Sequence, residues 1–102
     1  MAAPPKIANL MPAIGRCLNE GRYLDTRHAT DRQGERKITR PEVIQVLRNG
    51  PHEKLKDLFV KQYNAWNYAV RGKTVDRREL RVIVSFEAET GMLIITAIDL
   101  SK

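Results

Sequence analysis

Apolar residues first recur as Ile7, Leu10, Met11, Ile14 and Leu18, the spacing of one helical face. Gly21 follows the last of them and predicts the helix stop. Cys17 lies beside this stripe, where a small packing residue fits better than a nucleophile. A second helix is expected from about Thr26 to Arg36, with Asp25 or Thr26 as N-cap and Gly34 weakening its interior. The third is marked by Thr39-Arg40-Pro41-Glu42, a capping-box pattern in which Thr39 and Glu42 satisfy each other's free amides. Pro41 is tolerated there because first-turn amides have no helical acceptor. Val43, Val46 and Leu47 form its inward face, and Asn49-Gly50-Pro51 ends it.

Beyond Pro51 the apolar period changes from helix to strand. Leu58-Phe59-Val60 is a short β-rich run, and Trp66, Tyr68 and Val70 alternate with Asn67 and Ala69 until Gly72 closes the segment. Leu80, Val82, Val84 and Phe86 fall on one strand face, with Glu79, Arg81, Ile83 and Ser85 on the other. Glu89-Thr90-Gly91 reads as a hairpin turn into the nearly continuous apolar strand Met92 to Ile98. The expected fold is therefore α+β: N-terminal helices packed on one face of a three- to four-stranded antiparallel sheet. One domain is expected over residues 7–102, preceded by a disordered Ala/Pro tail over residues 1–6.

Composition narrows the class. The 102 residues are 42% hydrophobic and 29% charged, ordinary values for a soluble globular domain. No apolar run approaches the roughly 20 residues that span a bilayer, so no membrane partner is expected. The start of the chain lacks a signal-peptide pattern, and a single cysteine leaves neither an internal disulfide nor a cysteine metal cluster. Together these features predict a cytoplasmic protein. His28 and His52 have no ligand-spaced companions, and neither a phosphate-cradling glycine loop nor a Gly-x-Ser-x-Gly elbow occurs. Neither metal nor cofactor is expected.

The charge changes the picture more. Eighteen Lys and Arg against twelve Asp and Glu give a net charge of +6. The cations gather in two stretches, Arg22 to Arg40 and Arg71 to Arg81. Clustered positive charge attracts polyanions by counterion release, which makes RNA the expected partner. A solvated surface with an acidic protein partner explains the same charge.

On the expected second helix, His28, Arg32 and Arg36 advance by about 40° each and make one cationic ridge. An imidazole can move a proton near neutral pH, and guanidiniums hold phosphate with paired hydrogen bonds. Metal-independent RNA cleavage needs both functions. Ordinary helix-surface pairs, Arg27 with Asp31 and Arg32 with Glu35, account for the same residues without chemistry. On the strands, Arg81 sits mid-strand between apolar neighbours. Trp66 and Tyr68 share a face that could stack bases, although aromatics so placed more often belong to the core. Thr96 interrupts the last apolar strand, where β-branched packing accounts for it.

His28-Ala29-x-x-Arg32-x-x-x-Arg36-x-Ile38, Glu42-Val43, Leu47-x-x-Gly50, Trp66-x-Tyr68, Arg78-x-Leu80-x-Val82-x-Val84 and Ile95-Thr96 resemble a family of small uncharacterised bacterial domains with an HA-x-x-R-x-x-x-R-G-I signature. Lys37 stands where that family usually has Gly. Such domains are similar to the RelE, BrnT and MqsR group of bacterial toxins. The resemblance implies a helix-plus-antiparallel-sheet fold, metal-independent endoribonuclease activity as in the toxic members, and a cognate antitoxin. It makes His28, Arg32 and Arg36 the candidate catalytic residues, joined by Arg78 or Arg81 and Thr96 on the sheet. Arg71, Lys73, Arg77 and Arg78 would track the RNA backbone, with Trp66 and Tyr68 beside them. A non-catalytic basic module that docks RNA or an acidic protein is the alternative.

Overall fold

The computed structural model describes residues 3–26, 34 and 37–101. Helix α1 (Leu10–Glu20) buries Leu10, Ile14 and Leu18, the stripe read from the sequence. It begins at Leu10 rather than Ile7, whose amide donates to the Tyr68 hydroxyl at 2.9 Å just ahead of the helix. Its end is the expected glycine stop. Gly21 adopts φ 68°, the Arg22 amide reaches the Cys17 carbonyl at 2.8 Å, and the Gly21 amide reaches Leu18. The helix predicted over Thr26 to Arg36 lies outside the described residues, except for Thr26 and Gly34.

Helix α2 (Arg40–Asn49) carries the complete capping box. The Glu42 amide donates to the Thr39 hydroxyl at 3.3 Å, and the Thr39 amide donates to the Glu42 carboxylate at 2.9 Å. Val43, Val46 and Leu47 are buried, as their spacing predicted.

Five strands form one sheet: β1 (Tyr23–Asp25), β2 (Leu58–Val60), β3 (Ala65–Lys73), β4 (Glu79–Glu87) and β5 (Gly91–Asp99). Their order is β1-β5-β4-β3-β2. Strands β2 to β5 are the expected antiparallel meander, but β1 pairs parallel to β5, so the sheet is mixed and five-stranded. Gly72 does not close β3, which runs on to Lys73. It lies against Gly50 instead, where an added Cβ on Gly50 would sit 2.6 Å from the Arg71 carbonyl oxygen.

The continuous apolar run of β5 has a local cause. Val84 pairs with Ile94 and Ile83 with Thr96, which leaves Ile95 as the extra residue of a bulge. Met92 and Ile94 therefore face the core, and after the bulge it is Ala97 that does so. Both helices cover this face, against Val70, Leu80, Val82 and Val84. Each buried aliphatic side chain contributes about 1.5–3 kcal/mol relative to exposure. Pro4, ahead of α1, is tied to β3: Trp66 Nε1 donates to its carbonyl at 2.8 Å. The opposite face of the sheet carries Arg71, Arg81, Ile83 and Leu93, which are only partly buried.

Candidate functional site

His28, Arg32 and Arg36 lie outside the described residues; the stretch that carries them is known by its two ends. At the first end, the Thr26 amide donates to the Ile94 carbonyl at 3.0 Å, continuing the β1–β5 pairing by one residue. At the second, Ile38 is buried in the core, and Arg78 Nη1 donates to the Lys37 carbonyl at 3.1 Å. The ends are tied to one another. Arg40, the first residue of α2, pairs with Asp25, the last of β1, and its guanidinium lies 5.8 Å from the centre of the Tyr23 ring. The hydrogen bond and charge of Asp25 hold the Arg40 pKa above its ordinary value.

Lys37 adopts φ 56°, the left-handed conformation that suits glycine. The turn into α2 thus needs the backbone that the resemblance associates with Gly at this place. Lys37→Gly is expected to raise stability by about 0.5–1 kcal/mol, the relief of left-handed strain less the added entropy of the unfolded chain. Urea denaturation at constant slope checks it.

The sheet arginines are held by carboxylates. Arg71 and Arg81 are direct cross-strand partners on β3 and β4, an arrangement that like charges disfavour. Glu53 lies between them. It accepts from Arg81 Nε at 2.6 Å and Nη2 at 3.1 Å, and from Arg71 Nη1 at 3.4 Å. Arg71 Nε also donates to Glu79 at 2.9 Å. Glu53 is placed by the turn after Gly50, where the Glu53 amide donates to the Ala69 carbonyl and the Arg71 amide to that of Pro51. The hydrogen bonds from Arg81, then Arg71, hold the Glu53 pKa below the ordinary glutamate value, and Arg71 does the same to Glu79. Arg81 is shifted upward by Glu53 in return.

These depressed carboxylates stabilise the fold fully above the ordinary glutamate value of 4.5, and the contribution disappears as pH falls through their folded-state values. Melting temperature should therefore drop on acidification below about pH 4.5, and Glu53→Gln should flatten that dependence by removing about 1 kcal/mol of it. Thermal melts between pH 3 and pH 7 (roughly the carboxylate range and above) measure it.

Arg78 joins the two layers. Its Nη2 donates to Asp99 at 2.9 Å and its Nη1 to Glu42 at 3.2 Å, so the cap of α2 is bound to the end of the sheet. Arg78 is raised in pKa, first by the Asp99 hydrogen bond. Lys73, at the end of β3, and Arg77, on the β3–β4 connection, are exposed. Of the proposed stacking pair, Tyr68 is only 3% exposed, and its ring meets Phe86 and His52 edge-on at 6.0 Å. It is a core residue with no face open to a base. Trp66 is covered as well: Lys6 Nζ sits 4.7 Å from its ring centre, and Phe59 packs edge-on at 5.5 Å. Thr96 is half-buried on β5 opposite Ile83.

Three residues outside the sequence-derived candidates are central to this arrangement. Glu53 is one. The others are Asp57 and His52: the fully buried Asp57 carboxylate accepts from His52 Nε2 at 2.8 Å, Lys6 Nζ at 3.1 Å and the Ala69 amide at 3.0 Å. No periodicity marks these residues, since each sits in a loop whose course depends on β3.

The described residues thus define a two-layer α+β domain, two α-helices over one face of a five-stranded mixed sheet. A family model described as "Domain of unknown function (DUF4258)" matches residues 26–99, most of the chain, and the protein belongs to that family. The matched stretch opens at Thr26, so α1 and β1 precede it. Comparison with curated proteins and with solved structures gave no match. Among the described residues, no helix is long and apolar enough to cross a membrane.

Proposed function

We propose that this domain is a toxin-type, metal-independent endoribonuclease acting on cytoplasmic RNA and held in check by a cognate antitoxin. The observation that carries the reading is the i, i+4, i+8 spacing of His28, Arg32 and Arg36 in the sequence, the spacing at which one proton-transfer group and two phosphate-binding groups share one helical face. In this chemistry the RNA 2′-oxygen attacks the adjacent phosphorus and the 5′-oxygen departs. The products are a 2′,3′-cyclic phosphate and a 5′-hydroxyl. His28 either accepts the 2′-hydroxyl proton or delivers one to the leaving oxygen, with water completing the other transfer. Arg32 and Arg36 neutralise charge that accumulates on the non-bridging oxygens.

Rigid ends favour such a use. Groups that must hold a phosphate to within fractions of an ångström benefit from firmly held flanks, and the Asp25–Arg40 and Thr26–Ile94 contacts hold the residues flanking this stretch. Arg81, which the sequence suggested as a catalytic partner, is left out of the clamp, since Glu53 occupies its guanidinium. Lys73 and Arg77 remain as exposed cations for the RNA backbone.

The test is end-group analysis. Purified protein incubated with a long single-stranded RNA in excess EDTA should leave 2′,3′-cyclic phosphate ends. Intact RNA, or cleavage that EDTA abolishes, contradicts the proposal. The carboxylate partners of Arg71, Arg78 and Arg81 favour a second reading, a basic module that binds without cutting. Steeply salt-dependent RNA binding with no cleavage product would select it.

A further inference from the structure

Strand β2 is an edge of the sheet, paired to β3 on one side and to no described strand on the other. Native edges are usually blunted by a charge or proline within the strand. Here β2 is Leu-Phe-Val, without either, and Leu58 is 65% exposed. Leu55 and Tyr63, which flank it, are 97% and 73% exposed. Phe59 turns inward onto Trp66, while Leu58 and Val60 sit opposite Asn67 and Ala65 on the side away from the helices. On that side runs a groove of about 530 Å³, lined by Val60, Tyr63, Ala65, Phe86, Leu93 and Ile95 among others.

Lysines dominate the exposed charge flanking β2, while the exposed Glu87 lines the groove at the end of β4. Lys54, Lys56 and Lys61 are all exposed. The only acid between Lys54 and Asn64 is Asp57, whose side chain is fully buried against Lys6 and His52. An open strand edge, a largely apolar groove and a lysine-rich flank at β2 define one kind of ligand. RNA would use the lysines but has no use for bare Leu55 and Leu58. An added strand uses all three: its backbone continues the sheet, alternate side chains enter the groove, and the others meet the lysines.

We propose that β2 and its groove are a strand-addition site for an acidic, extended segment of a partner protein, whose apolar side chains lie between Val60, Tyr63 and Phe86 and whose carboxylates face Lys54, Lys56 and Lys61. The site does not depend on the nuclease reading, since none of its residues belongs to the His28 ridge.

The test uses the full chain and a ten-residue peptide (about 33 Å long when extended, at roughly 3.3 Å per residue) alternating Glu with Val. Trp66 is the only tryptophan and packs on Phe59 of β2, so its fluorescence reports on this edge. Saturable change in that signal is expected, together with slowed amide exchange at Leu58 to Val60. Lys56→Glu with Lys61→Glu should weaken binding at least about tenfold, as opposing charges become like charges. Leu58→Asp should abolish it, and because these positions are exposed, an unchanged melting curve confirms that each variant is folded. No response to the peptide overturns the proposal. So does binding that survives both variants, or binding of oligouridylate or phosphatidylserine vesicles through these residues without any response to the peptide. RNA cleavage is unaffected by any of these outcomes, so this proposal and the nuclease reading fail separately.

Discussion

Asp57→Ala should lower the melting temperature by about 12 °C, corresponding to about 3 kcal/mol for a domain of this size. The Asp57 side chain is completely buried, yet it carries a carboxylate with three donors. Truncation leaves the Ala69 amide, the His52 imidazole and the Lys6 ammonium without their acceptor, and each buried polar group left unmade costs more than a formed bond contributes. The loss should be local before it is global. Lys6 and Pro4 fasten the N-terminal residues over Trp66, and Asp57 sets the start of β2, so amide exchange should accelerate at β2 and the first half of β3. Asp57→Asn keeps the shape and one acceptor, and should lose about half as much. An unchanged melt for Asp57→Ala would mean that the cluster contributes nothing to the fold.

Gly91→Ala is expected to cost a similar amount, about 2–4 kcal/mol, by a steric route. Gly91 has φ 98°, and a Cβ there would stand 2.4 Å from the Arg22 carbonyl oxygen. That same oxygen accepts the Met92 amide at 2.9 Å, the bond that opens the β1–β5 pairing. Adding one methyl group therefore pushes β1 from the sheet. With β1 go the Asp25 partner of Arg40 and the Thr26 anchor, so the base of the His28-to-Arg36 stretch should loosen and RNA cleavage should fall further than stability alone explains. Gly15→Ala provides the opposite sign. Nothing lies near a Cβ in the middle of α1, and the substitution should stabilise by about 0.5–1 kcal/mol. Parallel urea denaturation of the two variants gives the comparison.

The parts of the fold that local chemistry dictates were legible in the sequence. The Ile14 and Leu18 stripe, the Thr39–Glu42 box and the β3–β4–β5 meander each follow from spacing or capping over a few residues. Strand β1 was not legible, because three residues, Tyr-Leu-Asp, carry no period of their own. They become a strand only through the backbone of β5, some seventy residues further on. The bulge at Ile95 was hidden for a related reason: in a nearly all-apolar run a shift of register is not marked by alternation, and the one interruption, Thr96, also fits as a half-buried β-branched residue. Basic residues were easy to count and hard to interpret. Sequence placed Arg81 among apolar neighbours, but the carboxylate that holds it comes from Glu53, on a turn with no periodic signal. For Tyr68 the sequence left core and stacking face both open, because strand alternation gives a residue's face without saying which face the helices cover; the structure puts it in the core. For His28, Arg32 and Arg36, spacing alone suggests a shared helical face; they lie outside the described residues, and the structure places the flanking Thr26, Ile38 and Arg40.

A time course of RNA cleavage by the wild type and by His28→Ala, with both proteins shown to melt alike, tests the central claim most directly. The account predicts that the variant cleaves about 10²–10⁴-fold more slowly, the range for loss of one general acid or base. Equal cleavage rates, or no cleavage by either protein, would contradict it.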